Sequence, residues 1–236
     1  MTVSAPLGHT RLRVWGGVML VWAIVDQGCA EGSGASHATT ARDAHAEAAP
    51  SLRALPELEG GSVDTPRTHQ GLLLARETFD TVLPDAPSDR TYASLQRWVD
   101  GAVASWVEHR REQIDTTRSR FEAGGAQSEA EQVVSHAVVG LLDEDTALAL
   151  GRLPSPSELD DEPEIAAMYR DMMRAQADVF VRSALRELAD CANQGYGGPS
   201  DLRPWAEVCH ARFDHLQAQI SSRETMRPLQ HASRAQ

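Results

Sequence analysis

Three residues near the C-terminus have the types and spacing of a metal site or a catalytic pair. His210 and Asp214 are four residues apart, so a helix would place them on one face, and His215 follows directly. Zinc and copper accept two imidazoles and a carboxylate as ligands. Adjacent helical residues point about 100° apart, however, and no second ligand segment is evident. A surface His–Asp pair is therefore the favoured interpretation, and a metal site is the alternative.

Two cysteines, Cys191 and Cys209, have the placement of a disulfide. They fall near the end of one predicted helix and the start of the next, so a helical hairpin would bring them together. The spacing is neither CxxC nor the heme-attachment motif CxxCH, which disfavours a redox couple or a metal pair. A bond closing a loop of about 18 residues would contribute roughly 3 kcal/mol of stability.

Other residues capable of chemistry have simpler structural explanations. His136 lies between Val134 and Val138 and is predicted to be a hydrogen-bonded core histidine. Helical spacing predicts that Met168, Met172 and Met173 are core residues, with an adaptable binding groove as the alternative. The sequence contains no GxSxG, HExxH, P-loop or GxGxxG motif, so it indicates no cofactor and favours a protein that is not an enzyme.

The N-terminal residues have the layout of an export signal. Arg11 and Arg13 precede an uncharged apolar run from Val14 to Val25, which is followed by Gly28, Cys29 and Ala30. The run is shorter than the roughly 20 residues that a spanning helix needs, and no later segment is long and apolar enough. Residues 1–28 are therefore predicted to be a signal peptide.

The signal followed by Cys29 resembles the pattern of bacterial lipoproteins. The resemblance implies cleavage before Cys29 and attachment of a diacylglyceryl group to its sulfur; Gly28 fits this pattern and Asp26 departs from it. Ordinary cleavage after Ala30 is the alternative and would release the protein. The expected location is thus a membrane, with the domain facing the periplasm or the cell surface, or else the periplasm or exterior in soluble form.

The charge of the chain excludes some classes of partner. The formal net charge is −12, all 22 basic residues are arginine, and no basic block is present. Phosphate backbones and anionic headgroups would repel such a chain. We therefore expect no nucleic-acid partner, and membrane contact only through a lipid anchor.

The rest of the chain predicts an all-α fold behind a linker. Residues 29–64 are rich in Ala, Gly, Ser and Pro without apolar periodicity, which predicts a disordered tether. Residues 65–222 predict a bundle of about five helices with a disulfide-linked C-terminal hairpin, and residues 223–236 a flexible tail. Local signals place the helix starts at Thr65-Pro66, at Ser88 or Asp89, at the capping box Ser128–Glu131, at Pro163 and near Pro204.

Two segments and one helix face carry further expectations. Residues 108–122 have few apolar positions and alternating charges, which predicts a solvent-exposed helix end. The acidic residues 143–145 predict that the third helix ends or bends there and is finished by Pro154. The fourth helix is expected to bury Ile165, Met168, Met172, Ala175, Val179, Leu185, Leu188 and Ala192.

Together these features predict an exported, lipid-anchored helical domain that binds or scaffolds an unidentified envelope protein or ligand. The alternative is a small metal-dependent enzyme or metal carrier built on His210, Asp214 and His215.

Overall fold

The computed structural model describes residues 50–58, 61–123 and 125–232, with side chains as far as residue 222. The predicted signal peptide, Cys29 and residues 30–49 of the predicted tether lie outside the described residues. Within these described ranges the secondary structure is helical and contains no strand. The predicted all-α fold is confirmed.

Five helical segments make up the bundle. The second of them is continuous but changes its hydrogen-bonding pattern for one turn of π-helix at Val99–Val103. The helices are α1 (Pro66–Asp80), α2 (Tyr92–Trp98) running through the π turn into α3 (Ala104–Glu122), α4 (Glu129–Gly151), α5 (Pro163–Gly197) and α6 (Arg203–Ala232).

The carboxylate of Glu131 accepts hydrogen bonds from residues at the N-terminal ends of both α1 and α4. Ser128 and Glu131 form the reciprocal capping box of α4, in which the Glu131 side chain accepts from the backbone N–H of Ser128 at 3.0 Å. The same carboxylate accepts from the hydroxyl of Thr65, the N-cap of α1, at 3.0 Å and from Arg67 at 2.8 Å. Burial alone would raise the pKa of Glu131, but these donors hold it below its usual value.

Helix α4 is central and contacts α1, α3, α5 and α6. Its side chains are buried on most sides, as expected for a helix surrounded by others. The fully buried positions include Val133, Val134, Val138 and Leu142.

The prediction that α4 ends near residues 143–145 is wrong, whereas the predicted stop by Pro154 agrees with its last residue, Gly151. The helix continues to Gly151 because each of the three carboxylates finds a polar partner on a different neighbouring helix. Asp143 hydrogen-bonds with α5, Glu144 pairs with α6 and Asp145 pairs with α3, through Ser183, Arg212 and Arg110 respectively. Buried charges persist in a helix when they are paired in this way.

The prediction that residues 108–122 form a solvent-exposed helix end is also wrong. Arg110, Ile114, Thr117 and Phe121 are at most 3% exposed, because this half of α3 lies between α1 and α4. Two of these four buried positions, Arg110 and Thr117, are polar, so apolar periodicity in the sequence does not reveal the buried stripe.

Part of the predicted tether packs on the bundle. Leu52, Leu55 and Leu58 lie against the main core cluster and Val63 is only 3% exposed. These residues lack a helical period because they follow an irregular path, apart from the single 3₁₀ turn Leu52–Ala54. At the other end of the domain, α6 extends to Ala232 rather than stopping near residue 222.

Candidate functional site

The predicted disulfide joins the last part of α5 to the start of α6. Cys191 and Cys209 are bonded, with their Cα atoms 6.1 Å apart, and both side chains are fully buried. The two helices approach closely because Gly195 faces Ala206, where an added Cβ would lie 2.9 Å from the alanine methyl. The disulfide therefore holds a tightly packed hairpin together from inside the core.

The three residues predicted as possible metal ligands are only partly brought together. His210 Nε2 lies 3.5 Å from Asp214 Oδ2, and the two side chains are 56% and 62% exposed. His215 points to a different side of α6, where its Nε2 lies 2.8 Å from Gln219 Nε2. Among the residues that the structure describes, no three His, Cys, Asp or Glu side chains are placed to hold a metal ion. The geometry thus adds no support to the metal-site alternative.

A polar network connects α3, α4 and α5. His136 Nδ1 lies 2.7 Å from Glu187 Oε2, and Arg118 donates to the other Glu187 oxygen at 3.0 Å. His136 is 27% exposed and hydrogen-bonded, so it resembles the predicted core histidine although it is not fully buried. Burial raises the pKa of Glu187, but the histidine and arginine outweigh this and lower it.

Asp143 lies beside this network, and its pKa is shifted in the opposite direction from that of Glu187. The residue is 4% exposed, and its Oδ2 has no hydrogen-bond partner among the described residues. Burial raises the pKa of Asp143 to about 6, although Ser183 and Arg118 favour the charged form. An acid near neutral pKa can transfer protons, but transfer to a substrate requires contact with it. At this exposure Asp143 offers no such contact, so the cluster is best explained as a structural network.

The most unusual surface lies on α5. Met168, Met172 and Val179 are 61%, 42% and 47% exposed, and the exposed Ala175 lies between them. Spacings of four, three and four residues put all of them on one side of the helix. We call these four residues the α5 face.

The expectation that Met168, Met172, Ala175 and Val179 belong to the core is therefore wrong. The expected burial of Met173, Leu188 and Ala192 is confirmed. Helix α5 carries two apolar stripes, and the bundle buries the one that includes Met173 and Phe180. The periodicity of the sequence reveals both stripes, but it does not show which one the bundle buries, since both have helical spacing.

The two borders of the α5 face differ in chemistry. On one side are Glu164, Asp171 and Asp178, each seven residues from the next, a spacing that the sequence alone is sufficient to reveal. On the other side is the partly buried Tyr169. Burial raises the pKa of Tyr169, and nearby Tyr92, itself 48% exposed, adds to this.

Comparison with known proteins identifies no relative. No family model, no curated protein and no solved structure matches this chain. In the described part of the chain, no helix is both long and apolar enough to cross a membrane. The function is therefore inferred from the residues and their geometry.

Proposed function

We propose that this chain is an exported protein of the bacterial cell envelope that is anchored through Cys29 and binds or scaffolds another envelope component. The observation that carries the proposal is the buried Cys191–Cys209 disulfide. Disulfides persist in oxidising compartments outside the cytoplasm and are rare in mesophilic cytosolic proteins. The apolar run Val14–Val25 with its preceding arginines supports the same location.

Cys29 supports anchoring rather than release. It directly follows the predicted signal, and the other two cysteines are already bonded to each other. A free thiol in an oxidising compartment is prone to mispairing, and lipidation removes it. Cleavage after Ala30 would remove it equally, so the two routes are separated by the mature N-terminus.

A binding role is supported by the α5 face. Its two methionines are exposed on a domain whose other helices bury most of their large apolar side chains. Methionine side chains are flexible and polarisable, and they recur on surfaces that bind partner helices. Contiguous apolar residues on a soluble domain mark interaction sites more often than isolated ones do.

Intact-mass analysis of the protein from its native host, with membrane fractionation, tests export and anchoring. We expect a membrane-bound chain that begins at Cys29 and carries acyl mass, and a Cys29→Ser variant that is no longer acylated. An unmodified chain beginning at Glu31 in the soluble fraction would refute the anchor while preserving export. A chain that keeps residues 1–28 and reduced Cys191 and Cys209 in the cytoplasm would refute export.

Site-specific photo-crosslinking in the native host tests the binding role. Benzoylphenylalanine in place of Met172 should give a discrete higher-mass adduct. The matched control is the same replacement of Leu73, which is also 61% exposed but lies on α1. Absence of adducts from positions 168, 172 and 179, or equal adducts from position 73, would contradict a binding role for α5.

A further inference from the structure

The α5 face has the dimensions of a docking site for one helix. Met168 and Val179 are eleven residues apart, which corresponds to about 16 Å and three helical turns. The intervening Met172 and Ala175 complete a continuous row of exposed apolar residues. A partner helix with apolar residues at the same spacing could pack along this row, as in other complexes of paired helices.

The row of carboxylates beside the α5 face favours a positively charged partner. Glu164, Asp171 and Asp178 recur every seven residues, so they follow the apolar row along its length. Arg174 lies further round the helix and pairs with Asp171 at 3.2 Å, but the Asp171 side chain stays 46% exposed. The net charge of −12 on the whole chain adds to the local negative potential.

A second copy of this chain fits the face poorly. In an antiparallel pair of α5 helices the two acidic borders would face each other, and like charges in contact are unfavourable. In a parallel pair each border would face Tyr169 and Gln176 of the other copy, which carry no positive charge. Arg182 and Arg186 are exposed on this side of α5 beyond Val179, so an antiparallel pair would bring Arg182 near Glu164 of the other copy. Neither arrangement supplies a cation opposite Asp171 or Asp178.

We infer that the α5 face binds a basic amphipathic helix of a partner protein. This inference rests on the proposed binding function and specifies the chemistry of its partner. The partner's apolar side chains pack on Met168, Met172 and Val179, and its lysines or arginines lie along Glu164, Asp171 and Asp178. Tyr169 borders the opposite side with an aromatic ring, a group that is common in the cores of protein interfaces.

The test uses a defined probe and the full-length protein. The probe is a fluorescein-labelled, 18-residue peptide of leucine and lysine with leucine on one helical face. Its controls are a scrambled peptide of the same composition and an amphipathic leucine–glutamate peptide. Fluorescence anisotropy should show binding of the amphipathic basic peptide about tenfold or more tighter than either control, since only it matches both the apolar row and the acidic border.

Variants of the protein locate the binding site. Met172→Asp should weaken binding of the basic peptide about tenfold or more, because it places a charge at the centre of the apolar row. Met172→Gln provides a milder variant if the aspartate disturbs folding, which circular dichroism would reveal. The triple variant Glu164→Gln, Asp171→Asn and Asp178→Asn should weaken binding and reduce its dependence on salt. Leu73→Asp on α1 is the matched control and should leave binding unchanged.

Four results would overturn the inference. The first is equal binding of the scrambled peptide, which would indicate only general attraction to an acidic chain. The second is equal weakening by Leu73→Asp and Met172→Asp. The third is a wild-type protein that sediments as a dimer while Met172→Asp sediments as a monomer. That result would show that the α5 face binds a second copy of this chain. A crosslinked adduct from position 172 without binding of the basic peptide would overturn the basic helix and retain the binding function.

Discussion

The aromatic ring of Phe121 on α3 lies directly against the α-carbon of Gly71 on α1. A Cβ built on Gly71 would be 2.3 Å from Cζ of the ring, far inside normal contact distance. Phe121 is fully buried, so the ring has no solvent-facing space into which it could move. The absence of a side chain at position 71 therefore allows α1 and α3 to pack closely.

Gly71→Ala should lower the free energy of unfolding by up to about 2 kcal/mol. Alanine improves helix propensity by roughly 1 kcal/mol, but overpacking a closed core costs typically about 1 to 3 kcal/mol or more. Urea denaturation measures the difference. Gly101→Ala is the matched control, because nothing lies within 4 Å of its added methyl group, and it should be neutral or stabilising. Equal effects of the two substitutions would show that the contact with Phe121 is unimportant.

Reduction of the disulfide should destabilise the domain. The bond between Cys191 and Cys209 closes an 18-residue separation, and loss of such a native bond typically costs about 2 to 5 kcal/mol. The urea midpoint should fall when dithiothreitol is added, and non-reducing peptide mapping should show the linked peptides. The double variant Cys191→Ser and Cys209→Ser should have a midpoint that does not respond to dithiothreitol. An unchanged wild-type midpoint would contradict a stabilising role.

Asp143 should make the protein less stable as the pH rises from about 4 through 6. Its folded-state pKa is about 6 against an ordinary 3.8, so the folded protein retains a proton that the unfolded chain has lost. The favourable contribution is complete below the unfolded-state pKa and disappears as pH rises through the folded-state pKa. Asp143→Asn should therefore stabilise the protein at pH 7.5 by up to about 3 kcal/mol.

The measurement is urea denaturation of the wild type and Asp143→Asn at a series of pH values from 4 to 8. The difference between their unfolding free energies should grow across this range. Asp214→Asn is the control, since this carboxylate is 62% exposed and its replacement should shift the profile little. Parallel profiles for the wild type and Asp143→Asn would contradict a proton held by Asp143.

Arg212→Met should destabilise the domain strongly. Arg212 donates two hydrogen bonds to the carboxylate of Glu144 on α4, from Nε to Oε2 at 3.0 Å and from Nη2 to Oε1. The Glu144 side chain is fully buried. Removing one partner of a buried ion pair typically costs about 3 to 5 kcal/mol, because the other charge stays desolvated. The double variant Glu144→Met and Arg212→Met should recover much of the loss.

Arg203→Met provides the comparison on the same helix. Arg203 pairs with Glu207 at 3.7 Å, and both side chains are more than 60% exposed. Exposed pairs of this kind contribute between about 0 and 1 kcal/mol. Thermal or urea denaturation that gives equal losses for Arg203→Met and Arg212→Met would contradict a buried, energetically important pair between α4 and α6.

The sequence alone determined where most helices begin and which cysteines pair. The Thr65 cap and the Ser128–Glu131 capping box act through hydrogen bonds within one helical turn, and Pro163 acts through its fixed φ and missing N–H. Neighbouring residues are therefore sufficient to specify these helix starts. The Cys191–Cys209 pair followed from two adjacent helices and a short connection, which is also a local relationship.

Only the tertiary structure decided which polar residues are buried and which apolar residues are exposed. Residues 143–145 continue a helix because three other helices supply their partners, and α3 is buried as far as Phe121 because α1 presents a glycine to it. Helix α5 has two apolar stripes of similar spacing, and only its contacts with α4 and α6 leave Met168 and Met172 in solvent. The sequence shows what each helix could bury, but the choice depends on residues distant in the chain that complete the contact.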